Sequence, residues 1–160
     1  METLATVAPV FVDMAHRIVW ATAATVNTVG EPVTRILHPI WEWDGQTLSG
    51  RIASSPLSPK AKHLERTPTM SITYWHPDHD TCTVRCHTSW DLSEQAREAL
   101  WQAFTETPEP LGYDPRIIPG WDSPASPSFG VLRLEPTSIR LLEGSKMASG
   151  QGRLLAWKAG

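Results

Sequence analysis

Residues 35–75 read RILHPIWEWDGQTLSGRIASSPLSPKAKHLERTPTMSITYW, and the order of signals along this stretch decides the fold. The run up to Trp43, which begins upstream at Pro32, is rich in Val, Ile and Trp and reads as extended chain. Asp44-Gly45 has the residue types of a two-residue hairpin turn, so Gln46 to Ser54 is predicted to return as an antiparallel strand. Pro56 and Pro59 end that strand. Ser58 followed by Pro59 fits a helix N-cap and first helical position, predicting a short helix through Arg66 that stops before Pro68. Thr69 to Trp75 then resumes as strand.

Working outward, Ile18 to Asn27 is a Val, Ala and Thr-rich strand, and Asn27-Thr28-Val29-Gly30-Glu31 supplies the turn that pairs it with the stretch from Pro32. Ahead of it, Val7, Val10, Phe11 and Met14 recur at helical spacing, predicting a helix over Thr6 to His16 with Pro9 in its tolerant first turn. Beyond Trp75, His76-Pro77-Asp78-His79-Asp80 suits a turn into a further strand over Thr81 to Trp90. Asp91 or Ser93 caps a helix over Glu94 to Phe104 whose Ala96, Leu100, Ala103 and Phe104 form one apolar stripe. Thr105 to Ser128 is rich in proline and glycine and predicts an irregular crossing that wraps the sheet. Phe129 to Leu134 and Ser138 to Leu142 read as two strands broken at Pro136. A loop over Gly144 to Gly152 then precedes a last strand at Arg153 to Trp157. Seven or eight hairpin-connected strands with short helices predict a mainly β, closed or partly open antiparallel β-barrel as a single domain over residues 1–160.

The chain has 160 residues, a formal net charge of -3 and a pI near 6.0, so no global field draws it to nucleic acid or to an anionic membrane. Any anion site must be local. The apolar runs are too short to span a bilayer and the N-terminal segment carries Glu2 and Asp13, from which a soluble, cytoplasmic protein is expected. Eight Trp against two Tyr and three Phe fit stacking surfaces, an interface or ordinary core filling. Cys82 and Cys86 fall on one face of a strand roughly 13 Å apart, too far for a disulfide, and read as buried thiols.

The densest chemistry sits where the third strand meets the helix. Unpaired N–H groups at the helix N-terminus, the hydroxyls of Ser54, Ser55 and Ser58, and Lys60 would together suit a phosphate monoester, with Arg35 reaching in from the neighbouring strand. The same residues also fit a plain N-cap, two loop serines and a solvated lysine. A second group, His76, His79 and His87 with Asp78, Asp80, Cys82 and Cys86, lacks the spacing of a zinc site, and a hairpin turn with solvated histidines is the expected reading. Neither a Ser-His-Asp order nor a phosphate-cradling glycine loop is present.

Gly30-Glu31-Pro32-Val33-Thr34-Arg35-Ile36-Leu37-His38, Ser54-Ser55-Pro56-Leu57-Ser58-Pro59-Lys60, His63-Leu64-Glu65-Arg66-Thr67-Pro68 and Ile72-Thr73-Tyr74-Trp75 follow one another as in the pyridoxamine 5'-phosphate oxidase-like family. This resemblance, which runs from about Ile18 to Arg85 and resumes from Phe129 to Trp157, implies the FMN-binding split-barrel fold. It also implies an oxidoreductase using FMN or the deazaflavin coenzyme F420, in a homodimer with the cofactor between the subunits. By the same resemblance Arg35, Ser58 and Lys60 hold the cofactor phosphate. Ser54 and Ser55 stand where the family has a Thr-Asn pair, and the backbone of Ile36 and Leu37 faces the ring. Thr83 replaces the Gln of the family's Gln-Val-Arg pattern, and Trp157 approaches the partner's cofactor. His38 would contact the flavin or substrate, or else pack against Trp41. The family's C-terminal Arg-Leu-His-Asp-Arg motif is missing, with Gly144 to Arg153 in its place, so vitamin B6 oxidation is not expected. The remaining readings are a flavin, heme or deazaflavin carrier of the same fold, and a cofactor-free interaction module.

Overall fold

The computed structural model describes residues 1–160. A helix α1 (Leu4–Ile18) is capped by the Thr3 hydroxyl, which accepts from the N–H of Thr6, and leads into β1 (Ala21–Val26) and β2 (Pro32–Leu37). Strands β3 (Ile40–Trp43) and β4 (Leu48–Ser54) follow, then α2 (Pro59–Arg66), β5 (Thr69–Trp75) and β6 (Thr81–Asp91). Helix α3 (Glu94–Glu106) is capped by Ser93, whose hydroxyl accepts from Ala96. The crossing from Thr107 to Phe129 holds only the short 3-10 turn Pro115–Ile117, and it delivers the chain to β7 (Gly130–Leu142) and finally β8 (Leu154–Lys158). No helix is long and apolar enough to cross a membrane.

Two expectations are corrected. The stretch from Pro32 to Trp43 is two strands, because His38-Pro39 interrupts it and Pro39 has no N–H to give to a ladder. Conversely, Pro136 does not split β7. It sits at a register shift opposite Arg85 and Cys86, a bulge that absorbs the missing donor, and the Thr137 hydroxyl bonds the Arg85 carbonyl there. The 144–152 loop also contains a 3-10 turn over Gly144–Ser149.

The break at His38-Pro39 shapes the whole barrel. The strand order is β2-β1-β5-β6-β7-β4-β3, with β8 pairing β7, and every pairing is antiparallel. β2 and β3, consecutive in sequence, are therefore the two edges of the sheet. Two linking residues force those edges together, so the sheet curls into a barrel that remains unzipped between them.

The main core fills the concave side. Val7, Ala8, Phe11, Met14 and Ala15 of α1 pack there against Trp41, Ile52, Ile72, Tyr74, Val84, Leu134 and Ile139, and the thiols of Cys82 and Cys86 lie free among them. Gly50 allows the close packing, since a Cβ there would come within 2.6 Å of the Trp41 ring. A second core, Leu100, Phe104, Trp121, Phe129 and Val131, forms where α3 and the proline-rich crossing cover the opposite face of β4 and β7. Trp41 Nε1–H donates to the Tyr74 hydroxyl at 2.8 Å inside the main core. Tyr74→Phe would leave that N–H buried and unpaired, so we expect a loss of about 1 to 2 kcal/mol, read as a lowered denaturant midpoint at constant slope.

Candidate functional site

Arg35 points from the edge strand β2 towards the turn that enters α2. It is half-buried, and its Nη1 donates to the Ala23 carbonyl of β1 at 3.3 Å. Ser54 is the buried last residue of β4, held opposite Gly130. The Ser55 hydroxyl accepts from the N–H of Leu57, at 3.2 Å, which shapes the turn. Ser58 occupies the N-cap position, but its hydroxyl does not cap the helix as the sequence suggested. It donates instead to the Ser55 carbonyl (2.7 Å) and accepts from Lys60 Nζ (2.8 Å). The first N–H groups of α2 are thereby left without a side-chain cap.

Helix α2 is anchored where it stands. Leu64 is in the main core, the Thr25 hydroxyl and His63 Nδ1 are 3.0 Å apart, and Arg66 bonds the Thr28 carbonyl. These ties fix the C-terminal half of α2 against β1 and the β1–β2 turn. Nothing in the sequence signals the Thr25 and His63 pairing, because 38 positions separate them.

Two cations share the junction. Burial, followed by repulsion from Arg35, pushes the Lys60 ammonium down to about 8, and burial lowers Arg35 as well. Neither residue forms an ion pair with any carboxylate of the chain. Two neighbouring cations with no counter-ion, at an uncapped helix N-terminus, destabilise one another until an anion arrives. The residues present thus fit a phosphate.

The other expected site residues lie elsewhere on the sheet. Ile36 and Leu37 pair with Thr22 and Ala21 of β1, and since β2 is an edge strand one side of its backbone is unpaired. Thr83 stands three strands from β2, roughly 14 Å along the sheet, with its hydroxyl 3.2 Å from that of Thr73. Trp157 is five strands along the curled sheet, opposite Ile139 and packed on the main core. Thr83 and Trp157 line one groove with Arg85, Arg140 and Leu154, a groove that the phosphate-junction residues do not reach.

His38 does not pack against Trp41, which is in the main core. It sits in an aromatic box, stacked on Tyr113 (5.2 Å), edge-on to Phe104 (5.3 Å) and beside Trp20 (5.0 Å), and neither ring nitrogen completes a hydrogen bond. Burial pushes it down to about 4, against the partial opposition of the Leu111 backbone. His76 pairs with Asp78 in the β5–β6 turn, and His87 lies away from it on β6.

No protein-family model matches the chain, and no curated protein matches it in sequence. Solved structures do resemble it. A pyridoxamine 5'-phosphate oxidase-related, FMN-binding protein from Nostoc punctiforme superposes with a TM-score of 0.69 at 20% identity, over 100% of this chain and 92% of that one. A protein related to general stress protein 26, of the pyridoxinephosphate oxidase family, from Clostridium acetobutylicum gives 0.68 at 9% identity, over 97% and 94%. An F420 reductase gives 0.57 at 18% identity, over 79% and 93%. The fold is therefore the mainly antiparallel FMN-binding split barrel of pyridoxamine phosphate oxidase-like proteins.

Proposed function

We propose that this split barrel is an oxidoreductase that binds FMN or coenzyme F420 by its phosphate and works as a homodimer. The observation that carries the reading is the Arg35 and Lys60 pair, partly buried, adjacent and without a carboxylate. When bound, the flavin or deazaflavin supplies the hydride or electron chemistry that no side chain of the site offers. Arg35, Lys60, the Ser58 hydroxyl and the free N–H groups of α2 hold the phosphate. Ser54 and Ser55 shape the turn, and the unpaired edge of β2 at Ile36 and Leu37 presents backbone groups to the ring.

An exposed apolar surface supports the dimer. Trp157, on β8 at the far side of the sheet order from β2, is the residue proposed to approach the cofactor of a second copy. The outer face of β2, β1 and β5 offers the surface for that copy, since Trp20, Ile36 and Trp75 are each about three-fifths exposed on it. Arg85, Arg140 and Lys158 bring positive charge to the same face, and none of them is ion-paired.

The test is a cofactor titration of the purified protein alongside its mass in solution. Micromolar binding of FMN, visible as a yellow protein, or of coenzyme F420, followed by its fluorescence, is the expected result, together with twice the chain mass. Failure of both cofactors to bind overturns the reading. Binding without turnover of any acceptor would favour the carrier role instead.

A further inference from the structure

A second cavity, of about 620 Å³, lies on the outer face of the sheet at the end away from the phosphate junction. Its floor consists of the cross-strand row Arg51–Arg133–Ser89 from β4, β7 and β6 and the Glu135–His87 pair of β7 and β6, with Ser49 of β4 beside them. The first turns of α3 form one wall, where Ala96 and Ala99 leave room, and Glu42 of β3 stands at the rim. The volume suits a small molecule, and none of the residues assigned to the cofactor lines it.

The charges on this floor are incompletely used. Arg51 and Arg133 are directly opposite each other, an unfavourable pairing of like charges. Arg133 is satisfied by Asp91, to which Nε donates at 2.8 Å. Arg51 is not. Its side chain is only 28% exposed, it donates no hydrogen bond, and its nearest carboxylate, the 69% exposed Glu42, is 3.7 Å away. Glu135, one row along, belongs to no ion pair and faces His87 across the ladder. A guanidinium held only by one long ion pair and an exposed carboxylate lacking a cation line one small volume.

We infer that this cavity binds a small zwitterion, an α-amino acid in chemical class, with its carboxylate on Arg51 and its ammonium on Glu135. A guanidinium fork matches a carboxylate in geometry, and the second group of opposite charge rejects simple anions and simple amines. The site goes beyond the cofactor reading and does not depend on it.

The experiment is thermal denaturation of the full chain with each of the common L-amino acids at about 10 mM, beside propionate and ethylamine as carboxylate-only and ammonium-only probes. At least one amino acid should raise the melting temperature, and neither probe should do so at the same concentration. Arg51→Gln and Glu135→Gln should each weaken that amino acid by about tenfold or more. If one variant fails to fold, the other carries the comparison. A silent panel, a response to propionate or ethylamine equal to that of the amino acid, or unchanged affinity in a folded variant overturns the assignment.

Discussion

Lys60→Met should weaken cofactor binding by between about ten- and a hundredfold, the worth of one charge-assisted phosphate contact, while making the cofactor-free protein more stable. The two effects have one cause. In the free protein the Lys60 ammonium is partly desolvated and repelled by Arg35, and no carboxylate offsets either term. Removing it relieves that cost, by about 1 kcal/mol once solvent screening at the half-buried position is allowed for. The same strain has a pH signature. Because the folded chain holds the Lys60 proton less tightly than the unfolded chain, stability of the free protein should rise as pH climbs from about 8 towards 10.5. A bound phosphate favours the charged lysine, restores its affinity for the proton and flattens that rise. Chemical denaturation across this range, with and without cofactor, checks both points. A Lys60→Met protein that is less stable when free, and binds cofactor unchanged, would place the phosphate elsewhere.

Acidification should unfasten the aromatic box around His38 before it affects the carboxylates. His38 is buried against Tyr113, Phe104 and Trp20 without a completed hydrogen bond, so its neutral form is favoured and its proton affinity is depressed to about 4. An unfolded chain takes up that proton near pH 6.5. The stability held by neutral His38 is therefore complete above pH 6.5 and is lost progressively down to about pH 4, up to about 3 kcal/mol in all. His16 adds to the same slope. Burial lowers it too, and its Nε2 accepts the Trp41 N–H at 2.9 Å, a bond that protonation abolishes.

The buried carboxylates act in a lower window. For Asp80, burial raises proton affinity, but the Ser145 N–H and hydroxyl and the Arg17 guanidinium outweigh it and hold the group below its usual value. Glu143 is lowered by Arg153 first and by Lys146 as well. Both therefore keep their contribution until pH falls through the ordinary carboxylate range and below. Replacing the imidazole in His38→Phe, which suits an aromatic box, should remove most of the slope between pH 6.5 and 4 and leave the steeper loss below it. Denaturant midpoints at half-unit pH steps separate the two windows, and identical slopes in both proteins would exclude His38 as the source.

How much of this was legible beforehand depended on how local each feature is. The hairpin at Asp44-Gly45, the helix behind Ser58-Pro59, the Ser93 cap and the apolar stripes of α1 and α3 are written within a few neighbouring residues, and backbone sterics and periodicity read them directly. The order of those elements was enough for a closed or partly open barrel and for the grouping of Arg35 with Ser58 and Lys60, and the family resemblance supplied its split form. His38-Pro39 was harder, because a proline in an apolar run marks a break without saying that the strands on either side become opposite edges of one sheet. Pro136 misled in the reverse sense, since a bulge that tolerates it exists only when Arg85 and Cys86 lie opposite.

The sequence by itself thus determined most of the strands and helices, apart from the breaks at His38-Pro39 and Pro136, and the residue types of the phosphate junction, because turn chemistry and side-chain period act over a few residues. Only the tertiary structure decided that Lys60 and Arg35 share one uncompensated spot, that Trp157 lies five strands along the sheet from β2, and that Arg51 and Glu135 line one cavity. Those are contacts between residues tens of positions apart, and ladder register, which the chain acquires only on folding, sets which of them face one another.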